Sequence, residues 1–431
     1  MSTQTISIKF FLTCDQQYYS LTVSKSNTVY DTFQSMIAIK PQYKMKIKVL
    51  GMSISGTRIL PEASFEQIEA QNLQLSDPIF VISDFISHEL MLYFTTDEVN
   101  RRTRIVGKDF WERERKKVEL YILEDNKMVD GYEYVFKKKG EHVVAMKLKE
   151  MVVNFGCLFY NCIDLVSVDG GLDTSNAKNF SWLFGNCISL RNILGISEWD
   201  MSKGTNFSCA FYNCKKLNNL NGLELWNVGR GTNFSYMFMN CVLLKEVDAL
   251  KDWDLKEGLN FSFMFKNCSS LSSLNGLGLW KVSKGTAFSE MFSGCKNIEN
   301  LNLLKNWDVS QGKSFKGMFS NCMGLENLRG IETWNTGNGR DFNAMFFECS
   351  EIKNVDELKL WKVENGRDFR FMFYGCGLEN VGGLSDWNVE NGNRFDCMFD
   401  NRKKKYEITE NLRNKGFVNG DFPLIGKLDY I

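Results

Sequence analysis

The sequence predicts an α/β chain in two unequal parts: a small N-terminal domain of strands around one helix, then a solenoid of about ten coils with short helices and short parallel strands. Two observations carry this. Cysteine, tryptophan and phenylalanine recur every 27 residues over 151–402, and an alternating apolar pattern without that beat fills the first 85 residues. Residues 86–150 read as a β-rich connection and N-terminal solenoid cap, and 403–431 as a C-terminal cap and tail. The 431 residues carry 52 Lys+Arg against 52 Asp+Glu, so no net charge draws the whole chain toward nucleic acid or an anionic membrane. A hydrophobic fraction of 44% supports a packed core. No apolar run approaches the roughly 18 residues of a membrane span, and the first residues lack the pattern of a secretory signal. Only two histidines, His88 and His142, are present, which leaves almost no material for a His base or a multi-His metal site.

In the first domain Ile6, Ile8 and Phe10 alternate, then Tyr19, Leu21 and Val23 after a polar break, which predicts a hairpin. Ser26-Asn27-Thr28 caps a helix carrying Val29, Phe33, Met36 and Ile37. A strand over 47–50 ends at Gly51, a helical turn surrounds Phe65 and Ile68, and a last strand covers 78–82. This ββαββ order, with the segment LTV-x-x-S-x-T-V, the string K-V-L-G and the closing I-F-V-I, resembles a ubiquitin-like β-grasp domain. The resemblance implies a face that docks a second factor, with Lys48 where ubiquitin has its central exposed isoleucine, and Ile82 in the closing strand. No Gly-Gly follows Ile82, so conjugation is not implied.

Within 86–150, Arg101, Arg102 and Arg104, then Arg113, Arg115, Lys116 and Lys117, form a basic stretch with interleaved acids, read as a solvated face. Strands are expected over 118–124, 132–138 and 142–149. A solenoid needs its first coil covered, and this segment is placed to do so.

The repeat reads G-x-x-F-x-x-M-F-x-x-C-x-x-L-x-x-L-x-x-L-x-x-W. Phe234, Met237, Phe238 and Cys241 stand at offsets 0, 3, 4 and 7, the apolar face of a short helix. The residue before the first Phe is mostly Asn or Asp, which suits an N-cap, and the one before Cys is mostly Asn or Gly, which suits a left-handed helix end. Glycine three places before the first Phe (Gly204, Gly231 and their equivalents) implies positive φ or a close approach between coils. After Cys, apolar residues fall at every third place, as Leu271, Leu274, Leu277 and Trp280, which suits an arc with one short strand. One unit buries too little to offset its own ordering, so the units must stack. A terminal cap is expected where Arg402 and Lys403 replace the Cys motif, followed by a helix over 407–413.

The string N-F-S-x-M-F-x-N-C-x-x-L-x-x-L, as over 233–247, resembles the BspA-type leucine-rich repeats of bacterial and protist surface proteins. That resemblance implies a curved, leucine-rich-repeat-like solenoid used in adhesion or protein binding.

One Cys per coil does not make a tetrahedral site, so the cysteines read as buried free thiols, with neither metal nor disulfide. Asn179, Asn206, Asn233 and Asn260 begin N-F-S, formal glycosylation acceptors that read instead as structural caps. The Phe and Trp ladders read as core, with Asn, Ser, Glu and Lys at the exposed positions, and neither histidine has a catalytic companion in sequence. The variable places four and five after each Cys are Asn218/Asn219, Lys245/Glu246, Ser272/Ser273, Glu299/Asn300, Glu326/Asn327 and Lys353/Asn354, read as a partner-binding strip. The expectation is a monomeric, cytoplasmic, non-enzymatic scaffold for protein partners. It would have no cofactor, metal, nucleic acid or membrane span. The alternatives are a surface adhesion protein exported by another route, or an enzyme with a carboxylate-based site in 86–150.

Overall fold

Residues 5–12, 17–24, 52–54, 57–59, 79–82 and 89–399 except 198 are described in a computed structural model of the chain. In the N-terminal part, β1 (Thr5–Leu12) and β2 (Gln17–Ser24) form an antiparallel hairpin with Phe10 opposite Tyr19. β5 (Ile79–Ile82) adds parallel to β1, giving the order β2-β1-β5. The hairpin and closing strand fall where alternation places them. A further small hairpin joins β3 (Met52–Ile54) to β4 (Thr57–Ile59). The expected helix carrying Val29 to Ile37, the 47–50 strand with Lys48, and the helical turn at Phe65 lie outside the described residues. So do the C-terminal cap and the helix expected over 407–413.

A five-stranded antiparallel sheet follows, ordered β12-β6-β11-β8-β9. Its strands are β6 (Glu89–Thr96), β8 (Val118–Ile122), β9 (Lys127–Val129), β11 (Gly140–Leu148) and β12 (Leu165–Gly170). Period-two alternation sends Leu90, Leu92, Phe94, Leu120, Ile122, Val144 and Met146 into the main core. Met91, Leu123, Val143 and Ala145 form a smaller cluster on the other side. β7 (Arg102–Arg104) pairs separately with β10 (Glu133–Val135). β12 belongs to the first coil of the repeat: it pairs antiparallel with β6, while its Ser167 bridges in parallel to Asn192 of the second coil. The sheet and the repeat stack thus share a strand and one continuous core.

The repeat segment itself corrects the expectation of a short helix. Counting the first Phe of each unit as position 0, Phe234, Tyr236, Phe238 and Asn240 donate their N–H groups to Asn260, Ser262, Met264 and Lys266 carbonyls of the next coil at 2.8–2.9 Å. The intervening Met237, Met239 and Cys241 donate to Phe234, Tyr236 and Phe238 carbonyls, three residues back, at 3.1–3.3 Å. Ser235 N–H is accepted by the side chain of Asn233 at 3.1 Å. All eight donors from Phe234 through Cys241 are satisfied, half of them by the neighbouring coil. The segment is therefore a ribbon of overlapping turns. A helix would keep its hydrogen bonds to itself, whereas this ribbon is complete only when stacked. Offsets 0, 3, 4 and 7 face inward in either geometry, so periodicity alone could not separate them.

The coil-to-coil parallel bridges also sit elsewhere than expected. Nine of them link the residue before position 0 in successive coils, from Asn154↔Asn179 to Asp368↔Arg394. The Leu-rich arc after Cys carries a strand only as β12 among the described coils. Stacking puts position 0 phenylalanines 5.2–6.0 Å apart from Phe155 to Phe395. Position 4 forms a second ladder at 5.1–5.8 Å from Phe159 to Phe399. Trp280 Nε1 donates to Leu250 O at 2.8 Å, and the same bond recurs at Trp226, Trp253, Trp307, Trp334, Trp361 and Trp387. Cys268 Sγ donates to Phe238 O of the preceding coil at 3.1 Å, again with repeats along the stack. The invariant spacing of Cys and Trp thus secures two inter-coil donors within an otherwise apolar core. The glycine three places before position 0 answers to neither expected cause at Gly231: its φ is not positive, and an added Cβ would lie 2.3 Å from Phe234 Cζ of its own coil.

The first coil has no preceding coil to donate to its carbonyls, and helix α1 (Lys108–Glu114) takes that place. Gly107 N donates to Leu158 O at 2.7 Å, and the Arg113 guanidinium donates to Asn154 O at 3.0 Å and Gly156 O at 2.9 Å. Buried Glu114 holds Arg113 and Lys117 at 3.1 and 3.0 Å. Phe110 stacks on Phe155 at 6.3 Å and extends the first Phe ladder by one ring. Part of the basic stretch read as a solvated face is therefore the end-cap of the stack.

Candidate partner-binding surface

The turn ribbon presents positions 2, 5 and 6 outward while positions 0, 3, 4 and 7 fill the core. Positions 2 and 6 both take positive φ, as the third residue of a type II turn requires. At position 6 all but Glu348 (φ 57°) are residues that accept this conformation: Asn161, Asn186, Asn213, Asn240, Asn267 and Asn321, with Gly294 and Gly375. At position 2 they are not. Trp182, Tyr236, Phe263 and Phe371 hold φ of 57°, 60°, 63° and 57°. A left-handed conformation costs an ordinary side chain roughly 1–2 kcal/mol, and Gly317 occupies the same place in its coil without that cost. Four coils therefore carry a large ring where glycine would relieve the backbone.

These rings meet others from position 5. Trp182 sits edge-on between Tyr160 and Tyr212, at 5.2 Å from each. It lies across Gly185, where a Cβ would come within 2.7 Å of the indole. Tyr236 stacks on Phe263 at 4.4 Å, and burial raises the Tyr236 hydroxyl pKa. Lys266 sits 5.5 Å over Phe263 and pairs with Glu290 at 2.5 Å, closing this group. Beyond Gly317 and Ala344 a second group forms from Phe347, Phe371 and Tyr374. All these rings are half-buried. Sequence reasoning missed this face because it assigned aromatic residues to the core and Asn, Ser, Glu and Lys to the outside. The signal present in the sequence was an aromatic residue two places after the first Phe, next to core places but outside their set.

Of the predicted strip, Asn218, Lys245, Glu246, Ser272, Glu299, Asn300, Glu326 and Lys353 are exposed, and Asn219, Ser273, Asn327 and Asn354 are half-buried. The second residue of most pairs holds a turn. The Asn219, Asn300, Asn327 and Asn354 side chains accept the N–H two residues on, at 3.1–3.3 Å, as does Ser273 Oγ. The first residues (Asn218, Lys245, Ser272, Glu299, Glu326 and Lys353) leave their side chains toward solvent. Lys48 lies outside the described residues, and Ile82 is described only as the β5 residue paired with Leu12.

None of the twelve cysteines among the described residues is in a disulfide, and burial raises the pKa of the core ones well above the ordinary value. No group of ligands able to hold a metal occurs among the described residues. The formal glycosylation acceptors are engaged: Asn206, Asn233 and Asn260 side chains accept N–H groups two residues on, and Asn179 also bonds Asn154. His142 is not isolated as its sequence context suggests. Its Nδ1 lies 2.5 Å from Glu124 Oε1, and its Nε2 lies 2.9 Å from Thr96 Oγ1 and 3.1 Å from Lys138 O. Thr96 is 2% exposed and the imidazole stacks on Phe136 at 3.9 Å, so the group is buried within the sheet.

Fold and surface together define a repeat protein in which each coil completes the hydrogen bonding of its neighbour and displays one variable outer face. A family model described as "Mycoplasma protein of unknown function, DUF285" matches residues 153–276, 178–302, 232–328 and 286–412. Together these cover more than half of the chain, and the chain belongs to that family. Each match begins two residues before a position 0 phenylalanine (Phe155, Phe180, Phe234 and Phe288), one residue ahead of the coil-to-coil bridge. No curated protein and no solved structure matches the chain. No described helix is long and apolar enough to cross a membrane.

Proposed function

We propose that this chain is a non-enzymatic scaffold: a BspA-type, leucine-rich-repeat-like solenoid that binds a protein partner, joined to a ubiquitin-like module that docks a second factor. The observation that carries the reading is the aromatic face. Large rings held at positive φ and half-exposed cost stability, and strain of this kind persists where a surface is used. Tyr, Trp and Phe are also the side chains that anchor protein interfaces. The hairpin with a parallel closing strand supports the ubiquitin-like reading of the first domain. Buried thiols at position 7 from Cys162 to Cys376 and engaged Asn side chains support a reducing, cytoplasmic location.

The test is affinity capture with the full tagged chain, compared with a Trp182→Gly/Tyr236→Gly/Phe371→Gly variant and with charge reversal at Lys245, Glu299 and Lys353. Glycine suits the backbone at all three aromatic positions, so the variant is expected to fold, as checked by its unfolding midpoint. Specific partners should be lost from the aromatic variant and weakened by the strip reversal. Identical capture by parent and both variants would refute the scaffold reading.

A further inference from the structure

The position two before the first Phe is exposed or half-buried in every described coil, and its residue changes along the stack. In the middle coils it is Thr205, Thr232, Leu259 and Thr286, and each threonine hydroxyl donates to the equivalent carbonyl of the preceding coil at 3.2–3.3 Å. In the next three coils the same place holds Lys313, Arg340 and Arg367, all exposed. None of the three forms an ion pair among the described residues. The backbone keeps them in register, since Arg340 N donates to Lys313 O at 2.9 Å and Arg367 N to Arg340 O at 2.8 Å. Neighbouring hydrogen-bonded strands lie about 4.8 Å apart, so three like charges stand at coil spacing where threonine would close the same column without repulsion. In these coils the outer face also carries the Phe347, Phe371 and Tyr374 rings.

We infer that these coils take an acidic, extended peptide segment of a protein partner, with carboxylates on the Lys313–Arg340–Arg367 row and an apolar side chain on the aromatic cluster. The inference rests on the scaffold reading and names its partner chemistry. Charge complementarity selects an anion. The rings select a peptide over a nucleic acid. Phe347 and Tyr374 already cover each other at 5.3 Å and 8°, and Phe371 meets both edge-on at 70–74°. Successive bases stack on open ring faces, and Phe347 and Tyr374 already turn one face of each ring to the other. Asp368 engages Arg370 at 2.6 Å and Arg394 at 3.5 Å, whereas no carboxylate engages Lys313, Arg340 or Arg367 among the described residues.

The experiment is fluorescence anisotropy with the full chain in about 0.15 M salt, where the Debye length is about 8 Å. The probes are a labelled (Glu-Glu-Tyr)4 peptide, its (Gln-Gln-Tyr)4 analogue and a twelve-nucleotide oligo-dT. The acidic peptide should bind at least tenfold more tightly than either other probe. Lys313→Thr/Arg340→Thr/Arg367→Thr, which restores the residue of the middle coils, should weaken it at least tenfold with an unchanged or higher unfolding midpoint. Arg340→Thr alone should weaken it at least twofold, which keeps the test valid should the triple variant misfold. Equal binding by the row variants, or tighter binding of oligo-dT, overturns the inference. If the row fails while the aromatic-face variant still loses its captured partners, the scaffold reading stands and only this partner chemistry falls.

Discussion

Replacing Arg113 with methionine removes the group that stands in for a missing coil. Two carbonyls, Asn154 O and Gly156 O, lose donors at 3.0 and 2.9 Å, and Glu114 keeps only Lys117. Hydrogen bonds to a charged group contribute roughly 1.5–3 kcal/mol each. The Arg113 side chain is 35% exposed, so water recovers part of that and the low end applies. The expected loss is about 3 kcal/mol for methionine. Arg113→Lys should fall between, because one ammonium cannot span both carbonyls and Glu114 as the planar guanidinium does. Urea denaturation followed by tryptophan fluorescence gives the overall loss, and amide exchange over 155–162 against 315–322 locates it. Exchange should accelerate at the first coil and leave the later one unchanged. Exposed Arg115→Met serves as the control, expected within about 0.5 kcal/mol of the parent. If Arg113→Met matched that control in both measurements, the end-cap argument would be wrong.

Two aspartates one coil apart should respond to pH with opposite sign. Burial, with Asp368 nearby, raises the Asp341 carboxyl pKa, so its contribution is greatest below the unfolded value and is lost as pH rises through the folded one. Asp341→Asn keeps the acceptor for Asn343 N at 3.0 Å and should raise stability at pH 7, with the gain vanishing near about pH 3. Burial pulls Asp368 upward as well, but its pair with Arg370 outweighs this and holds the carboxyl below the ordinary value. Its contribution is present above the unfolded pKa and lost as pH falls, so Asp368→Asn should destabilise at pH 7 and not near about pH 2; thermal melts across pH check both, and a common sign for the two would contradict the assignment. Gly285→Ala puts a Cβ 2.4 Å from Phe288 Cζ and 2.9 Å from Val282 O, and should cost about 1–3 kcal/mol in urea denaturation. Gly278→Ala, whose nearest new contact is 3.4 Å, should cost under about 1 kcal/mol in the same assay.

The contrast between positions 0 and 2 shows where sequence reasoning stops. Phe234, Met237, Phe238 and Cys241 were legible as one buried face because spacing alone selects it, and the same spacing recurs in every coil. Asn233 was legible as a residue whose side chain accepts a nearby backbone N–H, and Asn240 as one suited to positive φ. Their helical setting was not, because the choice between helix and turn ribbon depends on donors accepted 27 residues away. Tyr236 and Phe263 were hidden for a related reason: hydrophobicity predicts burial, and only the left-handed turn swings these rings outward.

Thr96 meets His142 only through the register of β6 against β11, and Glu124 reaches it through that of β8 against β11. Arg113 likewise gave no local sign of its role, because a cap is defined by the carbonyls it faces. By itself the sequence determined the repeat, its phase and its core residues, since those follow from local chemistry multiplied along the chain. The tertiary structure alone decided what backbone the repeat adopts, which rings face solvent and which residues of the 86–150 segment close the first coil. These depend on hydrogen bonds between neighbouring coils, and no single coil encodes them.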